Sequence, residues 1–204
     1  ILFTLIGFIS AYYDKEFVRI ILGNEYVNKT IKNIESGNAV GVYQQGSDWG
    51  STIAITSNNL QVGAKLFIYA IAGGLGTLYV LLQNCIMLGS FQYFFHEHGA
   101  LKESAKGIWM HGVFEIFSMV VEAMAGLILG ASLLFPKTYS RFNSFKLGFK
   151  DAFKIFLSTV PFTIMAGIIE GYFTRYALQM PGFLNAFLIF GTLSFIAFYY
   201  FVYP

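Results

Sequence analysis

Two stretches of this chain carry no formal charge for longer than a bilayer is thick. Residues 66–95 run thirty positions, and residues 176–204 twenty-nine, without Asp, Glu, Lys or Arg. About twenty apolar residues suffice to cross the hydrocarbon as a helix. The charges that do occur are gathered between such stretches: of the 24, ten lie in 14–65, four in 97–106 and six in 137–154. At 56% hydrophobic and 19% aromatic residues, with mean hydropathy +0.61, the composition excludes a water-soluble domain. The lipid bilayer is the partner it calls for. A net charge of +2 with no basic stripe interleaved with aromatics is too small a bias to argue for nucleic acid, and no such partner is expected. Cys85 is the only cysteine, so neither an intrachain disulfide nor a cysteine-based metal cluster is available.

The expected fold class is an all-α, multi-pass transmembrane bundle of about five spans, forming a single membrane domain over 1–204. The spans are 1–13, 66–95, 108–135, 153–175 and 183–203, joined by a membrane-associated polar loop over 14–65. The first is expected to be truncated, with chain preceding Ile1, because ILFTLIGFISAYY opens without an initiator Met or a basic lead. Pro161 falls inside the fourth span, where it removes a backbone hydrogen bond. Within the loop, Asn24 is expected to cap a short amphipathic helix with Tyr26, Val27, Ile31 and Ile34 on one side, and Gly37, Gly41, Gly46 and Gly50 to break regularity after it. Five spans place loops 14–65 and 136–152 on one side; counting Lys and Arg then puts that side in the cytoplasm.

Ionisable residues inside spans are costly, which makes each a functional candidate. His111, Glu115, Glu122 and Glu170 qualify, with Arg175 at the boundary. At about 100° per residue, His111, Glu115 and Glu122 lie within roughly 40° of one another on a helix, one stripe on the third span. By helical rise, His111 and Glu115 lie about 5–10 Å from the end at which the antiparallel fourth span brings Glu170 and Arg175, so these four are expected to converge. Glu122 falls nearer the midplane, at the depth of Asn84 on the second span. Three readings stay open: a structural network holding helices in register, a transport or proton-relay path, and metal binding or catalysis. His111 and Glu115 have the i, i+4 spacing of paired metal ligands, but a third would have to come from Glu170 or His96. Under the structural reading no metal and no cofactor are expected. The run His96, Glu97, His98 fails as a zinc-protease motif, because Ala100 stands where the second histidine is needed.

Glycines at spacings that let membrane helices approach closely form the other pattern. Gly126 and Gly130 lie on the third span and Gly167 and Gly171 on the fourth, with Gly73, Gly74 and Gly76 on the second. Because the two pairs sit at different depths they cannot face each other. The second span is the expected partner of Gly126 and Gly130, and a second copy, making a homodimer, that of Gly167 and Gly171.

Several segments together resemble the stage II sporulation protein M family: NCIMLG over 84–89, HGVFE over 111–115, GLILG over 126–130 and IIEG over 168–171, with Asn58 and Asn59 before the second span. The resemblance covers roughly 53–175. It implies a multi-pass helical protein of the bacterial cytoplasmic membrane, related to proteins that help assemble a peptidoglycan-degrading machine in spore formers. The family's histidine and glutamate correspond to His111 and Glu115, its glutamate-glycine pair to Glu170 and Gly171, and its asparagine to Asn84. Cys85, where glycine is usual, and Glu122, where a small residue is usual, depart from the pattern. The resemblance also implies that the chain before Ile1 is cytoplasmic and the long loop outside, against the Lys and Arg count. A re-entrant third segment or basic side chains held at headgroups would reconcile the two. The function expected first is a non-enzymatic membrane scaffold recruiting envelope or peptidoglycan-remodelling proteins; second, a transporter or channel component using the intramembrane carboxylates; third, a metal-dependent intramembrane enzyme.

Overall fold

The computed structural model describes residues 1–44 and 47–203, the side chain of Tyr43 apart, and every regular element among them is helical. Gly46, expected to interrupt helical regularity, lies outside the described residues. The helices are α1 (Leu2–Tyr13), α2 (Lys15–Leu22), α3 (Asn24–Glu35), α4 (Asp48–Ile68), α5 (Leu75–Glu97), α6 (Leu101–Leu134), α7 (Arg141–Ile168) and α8 (Gly182–Ala197). Among the described residues, four segments are long and apolar enough to cross a membrane: Leu75–Glu97, Leu101–Leu134, Arg141–Tyr176 and Gly182–Val202. Their outward residues suit lipid; on α8, Phe183, Phe187 and Phe190 are 67–76% exposed.

The long polar stretch departs most from its expected form. Its last third is not a loop on the membrane face but α4, a helix that enters the bundle. Ser47 starts it by accepting the Gly50 N–H at 3.1 Å, so Gly50 lies in a capped first turn rather than breaking the chain. From there α4 runs alongside both long helices. It meets α7 and the segment that follows it in falling order, Asp48 with Arg175, Thr52 at Gly171 and Thr56 at Gly167, and α6 in rising order, Asn59 with Glu115, Gly63 at Glu122 and Leu66 at Gly126. At 1.5 Å per residue its 21 residues reach about 30 Å, the thickness of a hydrocarbon core.

The expected 66–95 span is consequently two elements. After Ile68 the chain makes a 3₁₀ turn (Tyr69–Ala72) and reverses through Gly73 and Gly74, both left-handed at φ +67° and +86°. Glycine populates that region without steric penalty. The reversal packs against Gly130, where an added Cβ would stand 2.4 Å from the Gly74 nitrogen. Helix α5 then returns antiparallel to α4. Helix α1 lies parallel to α5: Gly7 fits against Ile86, Phe8 against Tyr93 and Lys15 beside Glu97.

Residues 14–44, 98–100 and 177–181 therefore share one end of the bundle, with the turn at 69–74 and residues 135–140 at the other. The sequence expectation grouped 14–65 with 136–152; the extra passage of α4 overturns it. At the first end α2 and α3 form a platform. Asp14 caps α2 through the Glu16 N–H at 2.9 Å, whereas α3 begins after Gly23 and the Asn24 side chain, expected as its cap, instead accepts from Arg19. Val18 and Val27 bury against Phe94, Phe95 and Ala100. The opposite end is closed by a stack of Phe67, Phe149, Phe153 and Phe156.

A polar cleft inside the bundle

Three ionisable side chains converge below the platform. His111 and Glu115 project one turn apart from α6, and Glu170 comes from a π-helical segment, Ile169–Phe173, that ends the α7 rod. Such a bulge re-aims side chains and recurs at functional sites. One ligand atom of each residue lies within 4.8 Å of the others, and His111 Nε2 is 3.9 Å from Glu170 Oε1. The other imidazole nitrogen, Nδ1, is 3.1 Å from Thr174 Oγ1, whose own proton is directed to the Ile169 carbonyl at 3.2 Å. Thr174 Oγ1 also lies 3.4 Å from the Gly107 carbonyl, and Nε2 is the imidazole nitrogen that faces Glu170. Asn59 of α4 donates to Glu115.

Arg175 does not join this group. It forms an ion pair with Asp48 and donates from Nε to the Gly171 carbonyl at 3.2 Å. The expected convergence of four residues assumed that nothing else lay at that depth; α4 brings Asp48 there, and it takes the guanidinium.

Glu122 lies deeper and is buried against Gly63, accepting from Thr159 Oγ1 at 3.0 Å and Thr163 Oγ1 at 3.3 Å. Those threonines, one turn apart on α7, carry no sequence signal beyond a polar residue in an apolar helix. Asn84 faces the same space and donates to the Val80 carbonyl at 2.8 Å. The glycines are spent inside the chain. Gly126 meets the Leu66 carbonyl and Thr77, and Gly130 the Gly73–Gly74 turn, while Gly167 and Gly171 fit against Thr56 and Thr52 of α4. The last pair, expected to face a second copy, is therefore occupied by α4 of its own chain.

Around these residues is open space. A cavity of about 700 Å³ lies beneath α2 and α3, lined among others by Tyr26, Ser51, Asn59, His111, Glu115 and Glu170. A second, of about 160 Å³, continues inward to Asn84, Glu122 and Thr163. Both are walled by Asn58, Asn59, Met87, Leu88 and Glu115, and neither has Lys or Arg among its described lining residues. The two adjoin along those shared residues and together extend from beneath α2 and α3 to the buried carboxyl of Glu122. Tyr26 sits over the mouth, 6.3 Å from Phe91, and burial pushes its phenol up to about 12. His96 packs near Phe8 and Tyr93, away from the cluster.

Fold and cleft together define an all-helical membrane protein whose bundle carries an acid-lined cleft beneath the α2–α3 platform. The family model for Stage II sporulation protein M matches residues 1–175, and the chain belongs to that family. No curated protein and no solved structure matches it.

Proposed function

We propose that this protein is a membrane transport or channel component that admits cations into the cleft from the platform end. The carrying observation is the cavity itself, which shares Glu115 between its outer and inner parts and reaches Glu122. A structural network alone needs no such space, since helices held in register by buried side chains pack more tightly without it. The lining supports the sign: Glu115, Glu122 and Glu170 line the cleft and, among the described lining residues, no Lys or Arg does, which favours cations over anions. Irregular helix at bundle depth, here the π segment bearing Glu170, is tolerated where it borders such a cavity.

Membership of the family supports a bacterial cytoplasmic membrane as the location. The charge distribution supports an orientation opposite to the one counted from sequence. The 69–74 and 135–140 end carries Lys65, Lys137, Arg141, Lys146, Lys150 and Lys154 against Asp151 alone, whereas bases and acids are balanced at the platform end. By the positive-inside rule the former is cytoplasmic and the platform faces outward. This agrees with the orientation implied by the family resemblance.

The test is reconstitution. Proteoliposomes should take up protons or Mn²⁺ down a gradient faster than protein-free vesicles, and Glu122→Gln should abolish the excess. Flux equal to that of empty vesicles for H⁺, Na⁺, K⁺ and Mn²⁺ would overturn the proposal.

A second reading, a scaffold for envelope or peptidoglycan-remodelling proteins, is favoured by the family and by the platform, which leaves Tyr13, Ile20 and Trp49 between 67% and 82% exposed above the bundle. Homodimerisation is supported by a different surface than expected: Ser57, Gln61 and Lys65 form an exposed stripe on α4 at bundle depth, where polar side chains favour contact with another helix over lipid. A Gln61→Cys variant should crosslink to its own copy in native membranes; absence of crosslinking there would remove the dimer.

A further inference from the structure

Two carboxylates and an imidazole meet at the cavity wall without a positive side chain to hold them. The cation expected among them, Arg175, is engaged by Asp48, and the described lining supplies no other. Glu115 and Glu170 contact each other directly, and Asn59 reaches Glu170 as well; a cation bound between the two carboxylates would offset the repulsion of their ionised forms.

The imidazole is arranged for coordination. Thr174 Oγ1, 3.1 Å from Nδ1, is the kind of outer hydrogen-bond partner that metal-bound histidines characteristically have, and Nε2 faces Glu170. Asn59 holds Glu115 in the same way. The 3.9 Å between Nε2 and Glu170 Oε1 is too long for a hydrogen bond. It is close to the roughly 3.4 Å that separates two ligands of one tetrahedral ion at metal distances of about 2.1 Å. With every pair of ligand atoms inside 4.8 Å, side-chain adjustments of about 0.5–1.5 Å bring all three onto one centre.

We infer that His111, Glu115 and Glu170 form a site for a divalent transition-metal ion of the zinc or manganese kind, open on its cavity side. One nitrogen and two carboxylate ligands suit these ions better than Ca²⁺, which takes six to eight oxygens. Three protein ligands leave a coordination position for water or an arriving group, the arrangement of exchangeable and catalytic sites rather than closed structural ones. The inference deepens the cation-uptake proposal by naming the ion and where it pauses.

The experiment is calorimetric titration of the purified full chain with ZnCl₂ and MnCl₂, joined to elemental analysis and Zn K-edge absorption. One saturable ion per protomer is expected, with a first shell of nitrogen and oxygen and no sulfur. Glu170→Gln, nearly isosteric, should weaken binding at least about tenfold, and His111→Ala should abolish it; Glu97→Gln, at the platform end, should leave it unchanged. A thermal melt of each variant separates lost ligation from lost fold. No saturable binding of either ion, or affinity unaltered in a folded Glu170→Gln variant, would overturn the site. Uptake in proteoliposomes without metal binding would leave transport standing and remove the site, whereas binding without uptake would do the reverse.

Discussion

Replacing Gly171 with alanine places a methyl carbon 2.5 Å from the Thr52 Cα and 2.7 Å from its nitrogen. Ordinary carbon contacts are about 3.5–4.0 Å, so α4 and the π segment must separate by about 1 Å. The obstruction is backbone, which cannot swing aside as a side-chain tip would. Overpacking of this kind costs about 1–3 kcal/mol. Gly191, inside α8, is the matched control: nothing lies within 4 Å of its added Cβ. There alanine removes only the glycine penalty, a gain of about 0.5–1 kcal/mol. The two variants should therefore differ by about 1.5–4 kcal/mol in equilibrium unfolding, read by circular dichroism as SDS displaces a mild detergent. Oligomeric state by crosslinking should be unaltered in Gly171→Ala, because the face it crowds belongs to the same chain. Stabilities equal within about 0.5 kcal/mol, or loss of a dimer with no loss of stability, would refute the internal docking of α4.

Three further outcomes are expected. Arg175→Ala leaves Asp48 unpaired; Arg175 is 8% and Asp48 32% exposed at the side chain, so the loss should be about 1–3 kcal/mol, below that of a fully buried pair, and a change inside about 0.5 kcal/mol would contradict the pairing. Burial favours the neutral phenol of Tyr26 and holds its titration at about 12, above the ordinary 10. That contribution is complete below pH 10 and is lost as pH rises from 10 to 12, so Tyr26→Phe should flatten the alkaline fall in melting temperature over that window; parallel curves would sink the assignment. A cysteine at position 15 should react with a membrane-impermeant maleimide added outside intact cells, and one at position 137 only after permeabilisation, the reverse pattern refuting the proposed orientation.

The membrane class, the all-helical fold and the depth at which His111, Glu115 and Glu170 meet follow from one-dimensional regularities. Uncharged length marks lipid-facing helices, because hydrocarbon punishes every exposed charge. A fixed rise and turn per residue then set which side chains share a stripe and a level. Helix α4 escapes those rules. Ser57, Asn58, Asn59 and Gln61 make it read as loop, yet Thr52, Gly63 and Leu66 bury it against protein. Hydropathy reports the solvent a helix faces, and the side of α4 that meets protein and the polar cavity is under no such constraint. Only the tertiary arrangement could therefore decide that α4 fills the groove beside Gly167 and Gly171, draws Arg175 away to Asp48 and reverses the ends at which the loops lie. The same placement sets Asn59 beside Glu115 and opens the cleft, since both depend on the spacing of chain segments far apart in sequence.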